Sequence, residues 1–233
     1  MLTALAGAID NFHQEWPLRI AVDGRTASGK TTLADELAGT LRGLGREVIR
    51  SSIDGFHRPR AERYARGRHS AEGYYHDARD LAAVMALLLT PLGPGGDRLY
   101  RTASFDLAAD QPIAQLPRTA GPHAILIVDG TFLQRPELSA GWDLTVFVET
   151  TAVVSEQRGV ARDAASNGDV EAIRTLYARR YRPAYDLYAA QCTPMTGADV
   201  VIGNDDVDRP TLHLRPGGRL ATSPRAVRTG LDG

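Results

Sequence analysis

One cysteine, Cys192, stands in a chain of 233 residues, so no disulfide can close within it and nothing points to an oxidising compartment. Lysine is as scarce: of 27 basic residues only Lys30 is a lysine, and the others are arginine. Neither sign of charge is in excess. The formal net charge of −1 leaves no global field to draw the chain onto nucleic acid or an anionic membrane. Long apolar runs are missing too, since none approaches the roughly 20 residues that cross a bilayer. The first residues, MLTALAGAIDNFHQEW, lack a basic leader and are interrupted by Asp10 and Glu15, which predicts a short amphipathic helix and not a signal peptide. These absences predict a soluble, cytoplasmic protein whose partners are small molecules, with no nucleic acid and no membrane. Assembly into a homo-oligomer stays open.

What is present has the balance of an ordinary globular domain, 43% apolar and 24% charged, at a length that accommodates one α/β domain. The runs LRIAVD (18–23), EVIRSSI (47–53), AILIVD (124–129), LTVFVE (144–149) and ADVVI (198–202) read as strands. Helical spacing separates them. In KTTLADELAGTLR (30–42), Leu33, Leu37 and Leu41 recur every fourth residue; residues 80–90 are helical, as are residues 153–190, with breaks expected at Asn167-Gly168 and near Pro183. Residues 99–107 read as an extended segment or hairpin. Strands this continuously apolar are buried on both faces, which predicts a parallel sheet covered by helices. Residues 1–204 are expected to form one domain. Residues 205–233, rich in Pro, Gly and Arg, are expected to be partly disordered.

Gly24-Arg25-Thr26-Ala27-Ser28-Gly29-Lys30-Thr31, followed by Thr32, matches G-x-x-x-x-G-K-[ST] in full. An apolar strand precedes the motif and a helix follows it, as its mechanism demands. Glycines let the backbone curl so that successive N–H groups face an anion, and the helix N-terminus adds its own unpaired N–H groups. Lys30 would reach the β- and γ-phosphates of a nucleotide, and the Thr31 hydroxyl would coordinate Mg²⁺. Codon drift explains why arginine replaces lysine elsewhere. It does not explain the exception, which suits a site where a planar guanidinium cannot replace a compact ammonium.

A kinase also needs a group that deprotonates the acceptor hydroxyl, and oxygen ligands for Mg²⁺. Asp54 follows the second strand and Asp129 ends the strand AILIV, each with a glycine next to it, so both open toward the phosphate site in a parallel sheet. Asp-Gly is equally a plain turn signal. Arg158 and Arg162, four apart on one helix face, could clamp phosphates or pair with Glu156 and Asp163. Arg58 and the arginines after it could bind an acidic acceptor or line a solvated loop. Tyr74 and Tyr75 could stack on a substrate ring or pack internally. Asp77 could hold sugar hydroxyls or cap the following helix. The histidines show no metal-ligand spacing, and with one lysine no N-K-x-D guanine motif exists.

Taken together, GRTASGKTT, SSIDGFHR, GYYHDARD, AILIVDGTFL, RGVARD, YRPAYDLY and ADVVI resemble the uridine kinase branch of the P-loop kinases, a superfamily that includes pantothenate kinase and phosphoribulokinase. The resemblance runs from about Ile20 to Asn204. It implies the P-loop NTPase fold, a five-stranded parallel sheet with helices on both faces and a helical lid at about 154–169. It also implies ATP and Mg²⁺ as cofactors, Asp54 as base, and Thr31, Asp54 and Asp129 near the metal. Phe105, in Phe105-Asp106-Leu107, falls where that branch recognises its acceptor. The expected reaction is phosphoryl transfer to a hydroxyl of a nucleoside, with a pantothenate-like or sugar-phosphate acceptor as the alternative. A nucleotide-binding regulatory protein without turnover is the reading from another class. Asp54 separates the two, because a mere binder has no need of a base there.

Overall fold

The computed structural model describes residues 1–221. Among them the central sheet is built from β1 (Leu18–Gly24), β2 (Val48–Ser52), β3 (Ile125–Gly130), β4 (Leu144–Glu149), β5 (Val200–Gly203) and β6 (Thr211–Leu214), in the order β6-β5-β4-β1-β3-β2. The first five are mutually parallel. The central position of β1 follows from its composition: every residue of β1, as of β3, is buried, so both faces must be covered.

Two apolar layers do the covering. Helices α1 (Leu2–Asp10) and α2 (Lys30–Gly43) press Leu5, Ile9, Leu33, Leu37 and Leu41 onto one face, against Ile20, Val22, Ile127 and Val146. The helical stretch 81–89 lays Val84, Leu88 and Leu89 on the other, with Leu126, Val128 and Trp142. An aromatic cluster of Tyr74, Tyr75, Phe132, Phe147 and Tyr188 sits beside the sheet. Beyond β4, α3 (Ala152–Asn167) starts at the cap residue Thr151 and stops at Gly168, whose φ of 73° a side chain would resist. Then α4 (Val170–Leu176) runs through a wide helical turn, 177–181, into α5 (Arg182–Cys192), and Pro183, which has no N–H to donate, follows directly on that wide turn.

Three expectations are corrected. The sheet is not five-stranded: β6 adds a sixth, antiparallel strand, Thr211 opposite Gly203 and Leu214 opposite Val200. Residues 205–221 are therefore structured, and Leu220 is buried in the core. The expected disorder of residues 222–233 lies outside the described residues. Gly130 does not turn the chain. It stays in β3, and a Cβ there would meet Ile53 Cγ2 at 2.4 Å, so glycine is required by close packing. Residues 99–119 form two small antiparallel pairs, Leu99–Tyr100 with Arg118–Thr119 and Phe105–Asp106 with Gln111–Pro112.

Candidate active site

The phosphate loop closes the carboxyl end of β1. Gly24 (φ 153°), Ala27 (φ 60°) and Gly29 (φ 96°) curl it, and side chains at the glycines would collide: a Cβ at Gly24 would sit 2.5 Å from the Val148 carbonyl, and one at Gly29 2.5 Å from Asn204 Nδ2. The loop is pinned from outside. Asn204 Nδ2 donates to the Ser28 carbonyl at 2.7 Å and Ser155 Oγ to the Thr26 carbonyl at 2.9 Å. Beneath it lies Asp23, fully buried, accepting from the Gly24 N–H at 2.7 Å, from Gln134 and from the Tyr188 hydroxyl. Burial pushes the Asp23 carboxyl up, and these donors with nearby Lys30 oppose the rise.

Lys30 is buried, and its ammonium donates to the Arg25 carbonyl inside the loop. Burial pushes its pKa down to about 8, against the pull of Asp23, Asp129 and Asp54. Thr31 Oγ1 donates to Asp129 Oδ2 at 2.6 Å, while Arg50 holds Asp129 Oδ1 at 3.0 Å. Asp54 stands in a short turn after β2, where the Ser52 hydroxyl accepts from its N–H. Its side chain is 64% exposed and pairs with Arg79 at 2.5 Å. Partial desolvation raises the Asp54 carboxyl, but Arg79 and His57 outweigh it and hold it below the usual range. The Asp54 carbonyl accepts from His57 Nδ1 at 2.8 Å, and burial, with Arg79, pushes that ring down to about 4, so it is neutral near pH 7. Thr26, Ala27, Gly29, Lys30, Thr31, Thr32, Asp54, Asp129, Arg158, Arg162 and Tyr74 line one cleft of about 740 Å³.

The family model for the phosphoribulokinase / uridine kinase family matches residues 19–207. The chain belongs to that family. Uridine-cytidine kinase B of Dictyostelium discoideum is 29% identical over 203 residues, covering 84% of this chain and 79% of that protein. Uridine kinase-like protein 5 of Arabidopsis thaliana is 25% identical over 206 residues, and the chain spans 43% of its length. Among solved structures, one described as a possible uridine kinase from Bacillus stearothermophilus superposes with a TM-score of 0.67 at 24% identity, covering 86% of this chain and 96% of that one. The fold is that of a P-loop kinase.

Within this family member, four residues expected at the acceptor do not line the cleft. Arg58 reaches the Arg79 carbonyl at 3.3 Å and lies 4.0 Å from Glu62. Tyr75 is core, its hydroxyl donating to Gln191 at 2.9 Å, because it and Tyr74 point in different directions on one turn. Asp77 pairs with Arg66 at 2.9 Å. Phe105 is buried in its small hairpin. Arg25 also turns away, its guanidinium 3.7 Å from the Tyr185 ring centre. In place of these, the cleft is lined by His57, Arg63, Tyr64, Arg79, Arg180 and Tyr181. His57 and Arg79 sit within motifs visible in the sequence. Arg63 belongs to the arginine cluster weighed for an acidic acceptor, whereas Arg180 had no signal beyond being one arginine among many. On α3, Arg158 donates to the carbonyls of Asn204 and Asp205, both at 2.7 Å, and Arg162 pairs with Asp163 at 2.8 Å.

Proposed function

We propose that this chain transfers the γ-phosphoryl group of ATP to a hydroxyl of a small metabolite, with Asp54 as the base. The observation that carries the reading is one cleft holding both halves of that chemistry: a phosphate loop with Lys30 and Thr31, and an exposed carboxylate at Asp54 on the neighbouring strand end. A protein that only bound nucleotide would have no use for Asp54 there.

Mg²⁺ fits the residues present. It takes oxygen donors, commonly one or two carboxylates completed by phosphates and water. The Thr31 hydroxyl and Asp129 carboxylate, 2.6 Å apart, offer such a pair, and among the described residues no cluster of three or more His, Cys, Asp or Glu could hold a metal unaided. Thr31 and Asp129 would hold the ion, which would supply positive charge against the charge developing on the phosphates.

The chain's own residues then do the following. Backbone N–H groups of residues 24–31 and the Lys30 ammonium hold the phosphates. Arg50 orients Asp129, and Arg79 keeps Asp54 ionised and aimed. As the acceptor oxygen bonds to the γ-phosphorus, the bond from that phosphorus to the bridging oxygen breaks, its electron pair leaves with ADP, and the hydroxyl proton passes to Asp54. A depressed pKa makes Asp54 a weak base, which suffices because proton loss follows phosphorus–oxygen cleavage in a loose transition state. Arg162, exposed at the cleft rim, is placed to meet the charge of the transferring group.

The names of the relatives favour a nucleoside such as uridine or cytidine as acceptor. An ADP-release screen across nucleosides, vitamins and sugar phosphates tests the kinase reading: acceptor-dependent ADP formation is expected. Nucleotide binding without release for any acceptor would turn the reading to a regulatory binder.

A further inference from the structure

Arg180 is a buried cation without an anion. Its side chain lies in the cleft wall with 7% of the residue exposed. One Nη donates to the Arg68 carbonyl at 2.9 Å, its Nε has no partner, and no carboxylate pairs with it among the described residues. The rings of Tyr74, Tyr64 and Tyr181 surround it at 4.8, 5.0 and 5.8 Å. Ring faces attract a guanidinium but do not neutralise it, and a charge removed from water without a counter-ion is unfavourable.

The same wall carries two more arginines whose Nε atoms are buried and unpartnered, Arg63 and Arg79. Each already spends its Nη groups on a carboxylate, Asp110 at 2.8 Å and Asp54 at 2.5 Å. Six cationic side chains, Lys30, Arg63, Arg79, Arg158, Arg162 and Arg180, line the cleft with two carboxylates, Asp54 and Asp129, and two further carboxylates, Asp110 and Asp163, pair with Arg63 and Arg162, so cations remain in excess. A magnesium-bound nucleotide neutralises part of that excess from the phosphate-loop and lid side. It leaves Arg180, which belongs to neither the loop nor α3. A neutral nucleoside offers a buried guanidinium no charge.

We infer that the hydroxyl acceptor carries its own negative charge, a carboxylate or a phosphate, bound by Arg180 in the tyrosine-lined wall with Arg63 and Arg79 beside it. This rests on the kinase reading and keeps its transfer step, but puts an anionic acceptor in place of the nucleoside that the relatives' names favour. Tyr64, which lines the same cleft with its ring 5.0 Å from the Arg180 guanidinium, would add a polar contact.

The test separates the two readings. Inorganic phosphate, acetate and uridine are titrated calorimetrically, at constant ionic strength, into protein saturated with the magnesium complex of a non-hydrolysable ATP analogue. The same titrations are run on Lys30→Ala protein, whose phosphate loop is disabled. Phosphate or acetate is expected to bind in both, at least about tenfold more weakly in Arg180→Gln, with Arg180→Lys intermediate because it keeps the charge and loses the fork. Whichever of the two anions binds names the acceptor's group. Acceptor turnover is then compared in matched pairs, ribose 5-phosphate with ribose and pantothenate with pantothenol. The inference is overturned if neither anion binds the parent protein, if binding is unmoved in Arg180→Gln and Arg180→Lys, or if uridine is phosphorylated with kcat/KM unchanged by those variants. Anion binding that depends on Arg180, alongside no ADP release from any acceptor, would sink the kinase reading and leave the anion site standing.

Discussion

Lys30 sits in the phosphate loop with its pKa lowered to about 8. A nucleotide binds the ammonium form, and bound phosphates stabilise that form further, so the pKa rises on binding. As far as Lys30 is concerned, affinity for ATP is therefore expected to be insensitive to pH well below 8, where the ammonium is fully formed. It should fall by about tenfold per pH unit above that point, until the raised pKa of the complex is passed. Titration of a fluorescent ATP analogue between pH 6.5 and 9.5 checks this, and Lys30→Arg, always charged but misplaced, should bind weakly with no such slope. A parent protein whose affinity stays flat through pH 9 would show that burial does not lower Lys30 this far, and a Lys30→Ala protein that binds ATP like the parent would remove Lys30 from phosphate binding. Asp54 makes the complementary case. Asp54→Asn keeps the size and the Ser52 cap but loses the proton acceptor, so acceptor phosphorylation is expected to drop at least about 10²-fold while nucleotide affinity stays within a few fold. Lost Mg²⁺–ATP affinity with the fold intact would recast Asp54 as chiefly a metal ligand.

At the scale of elements, legibility followed locality. The β1–loop–α2 unit was plain in the sequence because strand, glycines and helix lie within 26 residues and each signal is short-range. The two strand-end acids were legible for the same reason. The arginine-lined wall of the cleft was not. Arg63, Arg79 and Arg180 come from three separated segments and meet only through tertiary packing, in a chain where arginine is too common to mark a site. Nor could spacing tell Tyr74, in the cleft, from Tyr75, in the core. Helix α3 was legible as an element, but not what holds it. Arg158 ties it to the carbonyls of Asn204 and Asp205, whereas Arg162 reaches only its neighbour Asp163 and keeps a largely exposed guanidinium. The two alanine variants should then differ. Arg162→Ala is expected to lower kcat by about 10-fold or more with the KM for ATP little changed, as for a contact made in the transition state. Arg158→Ala should raise that KM as well, because the segment beside the loop loses its anchor. Steady-state kinetics decide it: a pure KM effect at Arg162 would make it a ground-state contact.

At the scale of the whole molecule, the strand missed in the sequence couples the end of the described chain to the site. The signal was weak because TLHL (211–214) is four residues long, mostly exposed, and set in a stretch whose Pro, Gly and Arg content reads as disorder. Yet β6 pairs Thr211 with Gly203, immediately before Asn204, whose side chain holds the Ser28 carbonyl and whose own carbonyl receives Arg158. Farther on, Leu220 fills the core face shared by Leu5, Val200 and Ile202. A chain ending at Asp208 forfeits the four-residue pairing and the Leu220 burial, about 4 kcal/mol together. In a domain of this size that corresponds to a fall in Tm of about 10 °C. The same truncation frees the edge of β5 and with it Asn204, so nucleotide affinity should weaken even at temperatures where the shortened chain is folded. Leu220→Ala is the control, since it lowers stability without touching the pairing of residues 203 and 211, and it should leave affinity unchanged. Thermal unfolding and nucleotide titration of both variants read the outcome. A truncated chain that melts early but binds ATP like the parent would confine β6 to stability and break its link to the phosphate loop.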